Sequence, residues 1–286
     1  MAFKDLVVHI DPSAAGLARI RVAARIAAAH GAYVTGLFIA VPRTPPIDLA
    51  MFTELRIEGG VYHRELERLA AAEERERGDC EAAFRGELAR TKLAGEWRDV
   101  EGGLPNPLDA AARHADLIVV GQANEADESK PFHIDSPAAL AIACGRPVLA
   151  LPLGDAPASL GERVLVAWNG SREAARAVSD AMPFLERAKF VELIAIVPPG
   201  QGIDDGMREL ASLARHLDHH GVSAERYVVE APEHEAGKQI LARADHADCD
   251  LIVMGAFGHS HMRELVLGGA TRSLLKRMTI PVLLSH

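Results

Sequence analysis

At 286 residues the chain has room for two domains of about 150 residues or one large one. Hydrophobic residues make up 49% and charged residues 25%, which excludes wholesale disorder and a bundle of membrane helices; aromatics at 5% imply a core of Ala, Val, Leu and Ile. Thirty-one Lys and Arg against forty Asp and Glu give a net charge of -9, which argues against nucleic-acid binding, because that rests on clustered cations.

Met1-Ala-Phe-Lys-Asp5 runs straight into a strand-like segment without a signal-peptide pattern, and no apolar run approaches the roughly 20 residues of a spanning helix. Cys80, Cys144 and Cys249 are scattered, with no C-x-x-C, so neither a disulfide framework nor a thiolate zinc site is expected. The expected compartment is the cytoplasm, with neither membrane nor nucleic acid as partner.

The first element, Asp5-Leu-Val-Val-His-Ile-Asp-Pro-Ser13, has a second copy in Arg163-Val-Leu-Val-Ala-Trp-Asn-Gly-Ser171: an apolar strand, then Asp or Asn, a turn former and Ser. Ala/Arg-rich helical stretches follow at 14–30 and 172–187. Second strands follow at Tyr33 to Ala40 and Phe190 to Val197, each stopped by a proline, Pro42 or Pro198. Residues 43–94 are much longer than the matching 200–222. Within them Tyr62, Leu66, Leu69, Cys80, Phe84 and Leu88 recur at helical spacing among charged residues, which predicts a long amphipathic helix covering a sheet. A partner-binding arm is the alternative.

Middle strands are expected at Glu96 to Glu101 and Ala224 to Glu230. Ala115-Asp-Leu-Ile-Val-Val-Gly121 then matches Cys249-Asp-Leu-Ile-Val-Met-Gly255, and Arg146-Pro-Val-Leu-Ala150 matches Ile280-Pro-Val-Leu-Leu284, both at an offset of 134 residues. Two separated segments in one register mark a duplication. Alternating strands and helices predict an α/β fold of two tandem Rossmann-like domains, 1–153 and 162–286, each a five-stranded parallel sheet with helices on both faces. Residues 152–161 are the linker.

In such a sheet ligands bind beyond the carboxyl ends of the strands, where strand order reverses; a first strand flanked by the second and fourth makes that crevice. Met254 and Gly255 end the fourth strand of the second half, opening Gly255-Ala-Phe-Gly258-His-Ser-His-Met-Arg263-Glu-Leu-Val-Leu-Gly268-Gly269-Ala-Thr271, a Gly-x2-Gly-x9-Gly segment. Glycines admit close backbone approach, and Gly268, Gly269 and Ala270 open the final helix with free N–H donors suited to phosphate. Thr271 adds a hydroxyl and Arg263 a countercharge, while His259 and His261 line the loop. Asn169 ends the first strand of the same half, across the crevice. The competing reading makes these glycines a turn and a helix start.

These residues resemble the universal stress proteins, and the whole chain resembles their tandem form. The resemblance rests on Val164 to Ser171, Asp250 to Arg272 and Met278 to Leu284. It implies an adenine-nucleotide site, with Ala167, Trp168 and Asn169 near the base, Val197 at the second strand end, and Gly255, Gly258, Gly268, Gly269, Ala270 and Thr271 around ribose and phosphates. It also implies a role in stress survival and packing of the halves as an internal pseudo-dimer through the apolar final strands, Val148 to Leu151 and Val282 to Leu284. ATP-binding members typically carry Asp in place of Asn169, and Ser or Thr in place of Gly269. The first half lacks the second and third loop glycines and places Glu125, Asp127, Glu128 and Asp135 where phosphates would sit, although Asp11 is retained; it reads as degenerate for ATP.

His216, His219 and His220 fall on one helix without an H-E-x-x-H pattern and are expected to be solvated, so no metal is called for. There is no P-loop, no G-x-S-x-G and no G-x-G-x-x-G after the first strand, so no catalytic residue is named. Ser171 reads as a helix cap. The expected function is regulatory binding of ATP or another adenine nucleotide by the second half, with a protein partner reading occupancy and the pseudo-dimer associating into a homo-oligomer. The alternatives are a nucleotide-free interaction module and, last, a slow ATPase.

Overall fold

The computed structural model describes residues 2–40, 59–101, 107–123, 137–200, 202–256 and 269–286. The first half runs β1 (Asp5–Ile10), α1 (Ala14–His30), β2 (Tyr33–Ala40), α2 (Gly59–Thr91), β3 (Gly95–Glu101), α3 (Pro107–Ala112), β4 (Leu117–Gly121), α4 (Pro137–Cys144) and β5 (Val148–Leu151). The second runs β6 (Arg163–Trp168), α5 (Arg172–Leu185), β7 (Phe190–Val197), α6 (Ile203–His219), β8 (Glu225–Glu230), a short 3-10 turn (Glu233–Glu235), α7 (Ala236–His246), β9 (Leu251–Gly255), α8 (Gly269–Arg277) and β10 (Val282–Ser285).

Both halves order their strands as expected, the first flanked by the second and fourth. The two five-stranded sheets go further and fuse into one, in the order β3-β2-β1-β4-β5-β10-β9-β6-β7-β8. Neighbours are parallel within each half, and the junction β5–β10 is antiparallel, with Val148, Leu149 and Ala150 opposite Leu284, Leu283 and Val282.

The inner strands β4, β5 and β9 are apolar along nearly their whole length because both faces are covered. Val164 and Val166 enter the core beneath α1, α2, α5 and α6, and Leu165 enters the core beneath α3, α4, α7 and α8, all at 0% exposure. The same serine begins a helix in each half: the Ser13 hydroxyl accepts the Gly16 N–H at 3.0 Å, and the Ser171 hydroxyl accepts the Ala174 N–H at 3.1 Å. Ser171 is thus the cap that its place in the sequence suggested.

Residues from both sides close the junction. Phe3 and Phe184 lie 5.3 Å apart, and His30 meets Phe3 edge-on at 5.1 Å. Arg187 Nη1 donates to the Ala29 carbonyl at 3.1 Å, and Arg25 Nη1 to the linker carbonyl of Ala158 at 2.8 Å. On the other face, Gln122 Nε2 donates to the Leu275 carbonyl at 2.7 Å.

The long helix departs from its expected role. Cys80, Phe84 and Leu88 are buried against the sheet, but Leu66 and Leu69 are only half-buried, and no residue from 63 to 79 is buried. A helix of 33 residues spans about 50 Å, and among its described side chains only those of the last third are buried in the core. Along the rest, ion pairs such as Glu65–Arg68, Glu74–Arg77 and Glu81–Arg85 add a few tenths of a kcal/mol each. The side chain of Tyr62 lies outside the described residues. Among the described residues no helix is long and apolar enough to cross a membrane.

Candidate functional site

A cavity of about 790 Å³ opens at the carboxyl ends of β6, β7 and β9. Of the residues singled out in the sequence, Ala167, Trp168 and Asn169 reach it from the end of β6, Val197 from β7, Met254 and Gly255 from β9, and Thr271 from the first turn of α8. Gly269 and Ala270 form the start of α8. Gly258, His259, Arg263 and Gly268, with His261, lie outside the described residues, as do Glu125, Asp127, Glu128 and Asp135 of the first half.

Each placement has a local cause. Gly255 is a close-approach position: a β-carbon there would stand 2.6 Å from the Ala174 nitrogen and 2.6 Å from the Glu173 carbonyl carbon, so α5 reaches the end of β9 only because the side chain is hydrogen. Asn169 Oδ1 accepts the Ser171 N–H at 3.2 Å, which shapes the turn into α5 and occupies part of the carboxamide's bonding capacity. Thr271 is 5% exposed and lines the cavity, yet its hydroxyl has no hydrogen-bond partner among the described residues. Packing thus fixes a largely buried residue whose hydroxyl is left open to water or a ligand in the cavity.

Helix α6 and the 3-10 turn supply lining residues that the motif search missed. Asp205, Gly206, Arg208 and Glu209 come from the first two turns of α6, and Glu233 from the turn after β8. Arg208 is paired with Asp205. Gly206 lets the helix close onto the sheet, since a β-carbon would meet Val197 Cγ1 and Val228 Cγ1 at 3.0 Å each. A polar helix start preceded by Gly200 and Gly202 carries no motif, and only the three-dimensional crossing brings it to the cavity.

The equivalent corner of the first half is filled from within. Arg19 of α1, 4% exposed, donates from Nε to the His9 carbonyl at 2.9 Å and from Nη2 to Asp11 Oδ2 at 2.5 Å. Asp11 Oδ1 accepts from the Ser13 backbone and hydroxyl. Burial works against ionisation of Asp11, but Arg19, Ser13 and His9 outweigh it and hold the carboxyl well below the usual carboxylate range. Asp11 is therefore committed to an internal ion pair. The matching helix position in the second half is Ala177, which leaves no such guanidinium.

His216 of α6 and His220, just past its end, pack edge-on at 4.9 Å, and among the described residues no group of three His, Cys, Asp or Glu could hold a metal ion.

Residues 161–286 match the Universal stress protein family. The second half of the chain belongs to the universal stress protein family. A universal stress protein of Methanocaldococcus jannaschii is 25% identical over 80 residues, 28% of this chain and 48% of that protein, so the chain spans about half the length of this relative. Over nearly the whole length, a universal stress protein from Archaeoglobus fulgidus shares the fold at a TM-score of 0.68 and 17% identity, covering 98% of this chain and 97% of that one. A functionally unknown protein from Pseudomonas aeruginosa does so at 0.63 and 17%, covering 99% and 92%. The two-half α/β fold is thus shared with these proteins over nearly the whole chain.

Proposed function

We propose that this chain binds an adenine nucleotide, ATP or a relative of it, in the cavity of the second half, and that occupancy regulates a surface read by a protein partner. The observation that carries the reading is Thr271: a largely buried residue whose hydroxyl has no hydrogen-bond partner among the described residues, in the first turn of α8, on the wall of a cavity at the sheet's switch point. The first turn of a helix has backbone N–H groups with no partner inside the helix and a positive dipole end, and in α8 that turn carries the Thr271 hydroxyl, the combination that suits a phosphate. The aromatic ring of Trp168 and the aliphatic Ala167 and Val197 give the same cavity a wall suited to a base.

The first half belongs to the proposal as a non-binding partner, a reading supported by the Arg19–Asp11 pair at its corner. So do the unit boundaries, 1–153 and 162–286, association of whole chains into a homo-oligomer, and a cytoplasmic setting supported by three buried cysteines that form no disulfide.

The test is to denature the purified chain, identify released small molecules, and follow the melting temperature with added ATP, ADP and AMP. Released nucleotide or a rise of several degrees supports the reading; neither, even at millimolar nucleotide, ends it. Phosphate release from bound ATP separates a switch from a slow ATPase.

A further inference from the structure

Asn169 and Asp11 occupy equivalent places. Each follows the first strand of its half, and each accepts the backbone N–H of the serine two residues on. The second half therefore lacks a carboxylate at the end of its first strand. The fold brings another one there. Glu209, from the second turn of α6, reaches across to the turn that follows Asn169: its Oε1 and Oε2 lie 3.0 and 3.6 Å from the point where a β-carbon on Gly170 would stand. Gly170, at φ +72°, leaves that space open. Glu209 lines the cavity and has no hydrogen bond or ion pair among the described residues, whereas Asp205, one turn earlier, is held by Arg208.

We propose that Glu209 is the acceptor carboxylate of the cavity and takes hydrogen bonds from the ribose hydroxyls of the bound nucleotide. The inference rests on the nucleotide reading above. An ionised carboxylate only accepts, and its two oxygens match the two donors of a vicinal diol. Phosphates are anionic acceptors and are repelled by it, so the sugar faces Glu209 while the phosphates lie toward α8. Core residues of α6 lie on the opposite face of the sheet from those of α8, so the two groups approach a ligand from different sides. The carboxylate absent from the end of β6 is thereby supplied by a neighbouring helix.

The experiment uses the full chain carrying Trp97→Phe, so that Trp168 becomes the sole tryptophan and reports on the cavity. Affinities for ATP, 2′-deoxy-ATP, 3′-deoxy-ATP and ITP are measured by fluorescence and calorimetry with Glu209 intact and in Glu209→Gln. With Glu209 intact, binding should weaken about tenfold on loss of a ribose hydroxyl, the scale of one hydrogen bond to a charged group. Glu209→Gln should weaken ATP by a similar factor and leave the deoxynucleotide at issue nearly unchanged. Equal weakening of ATP and both deoxynucleotides, or no change in any, overturns the assignment. A loss of ATP preference over ITP alone moves the contact to the base amine and overturns the ribose assignment. If the chain with Glu209 intact binds nucleotides without discriminating among them, this inference fails and the nucleotide reading survives; if it binds none, both fail. Unchanged thermal unfolding of Glu209→Gln shows that the variant is folded.

Discussion

The Arg19 guanidinium lies across Gly121, so near that a methyl group on the glycine would come within 2.3 Å of Nη1. A side chain from α1 thus occupies the mouth between β1 and β4 that in the second half, between β6 and β9, faces a cavity. Arg19→Ala would take the guanidinium away from Asp11, a largely buried carboxylate. We expect a loss of about 3 kcal/mol in urea unfolding, as when one partner of a buried pair is removed, with ligand binding by the second half unchanged. A loss below about 1 kcal/mol would mean that the pair is replaceable by water.

Gly255→Ala tests close approach rather than flexibility. The new methyl group would meet backbone atoms of Glu173 and Ala174, which cannot rotate away. Displacement of α5 should cost about 2 kcal/mol in thermal or urea unfolding and disturb the cavity as well.

The two parts of α2 should respond differently to truncation. Phe84, 1% exposed, packs against Trp97 with centroids 5.9 Å apart, and Phe84→Ala should cost about 3 to 5 kcal/mol. Leu66→Ala, on the half-buried part, should cost less than about 1 kcal/mol. Comparable losses by chemical denaturation would mean that the outer part of the helix has a packing partner in solution.

His30 makes the junction sensitive to acid. Its burial, then Arg187 and Lys4, depress its basicity below the ordinary imidazole value. The folded chain therefore binds this proton less readily than the unfolded one, so the stabilisation is complete above about pH 6.5 and declines as pH falls below it. The drop in urea midpoint between pH 7.5 and pH 5.5 should be smaller in His30→Phe than in the unsubstituted chain.

Thr271→Val removes the hydroxyl and keeps the shape. Because nothing among the described residues bonds to that hydroxyl, melting of the free chain should hardly change, while nucleotide affinity should fall about fivefold.

The repeat made much of the architecture readable. Ala115 to Gly121 and Cys249 to Gly255 became β4 and β9, and the helix from 14 to 30 begins and ends where its Ser13 cap and Gly31 turn require. The limit of the long helix was written in its spacing as well. The apolar positions leave a gap of eleven between Leu69 and Cys80, and among the described side chains of the helix the first buried one is Cys80. Arg19 and Glu209 were not legible. Both are charged residues on helices whose ordinary fate is solvent, and what sets them apart is proximity to Asp11 and Gly170, from other elements, with Gly170 39 positions from Glu209 in the chain. Local patterns report burial and turns well, but a polar contact between distant segments has no periodicity to reveal it.

The antiparallel meeting of β5 and β10 has an evolutionary reach. Edge pairing asks of each strand only its backbone groups and a few apolar side chains, here Val148, Leu149 and Ala150 against Val282, Leu283 and Leu284. Identical subunits joined this way must keep two sites or lose both, since one gene writes both copies. Written in tandem, the copies can drift apart: one turns its crevice into a salt bridge and grows a 33-residue helix, the other keeps an open cavity, and the shared edge survives the divergence of both.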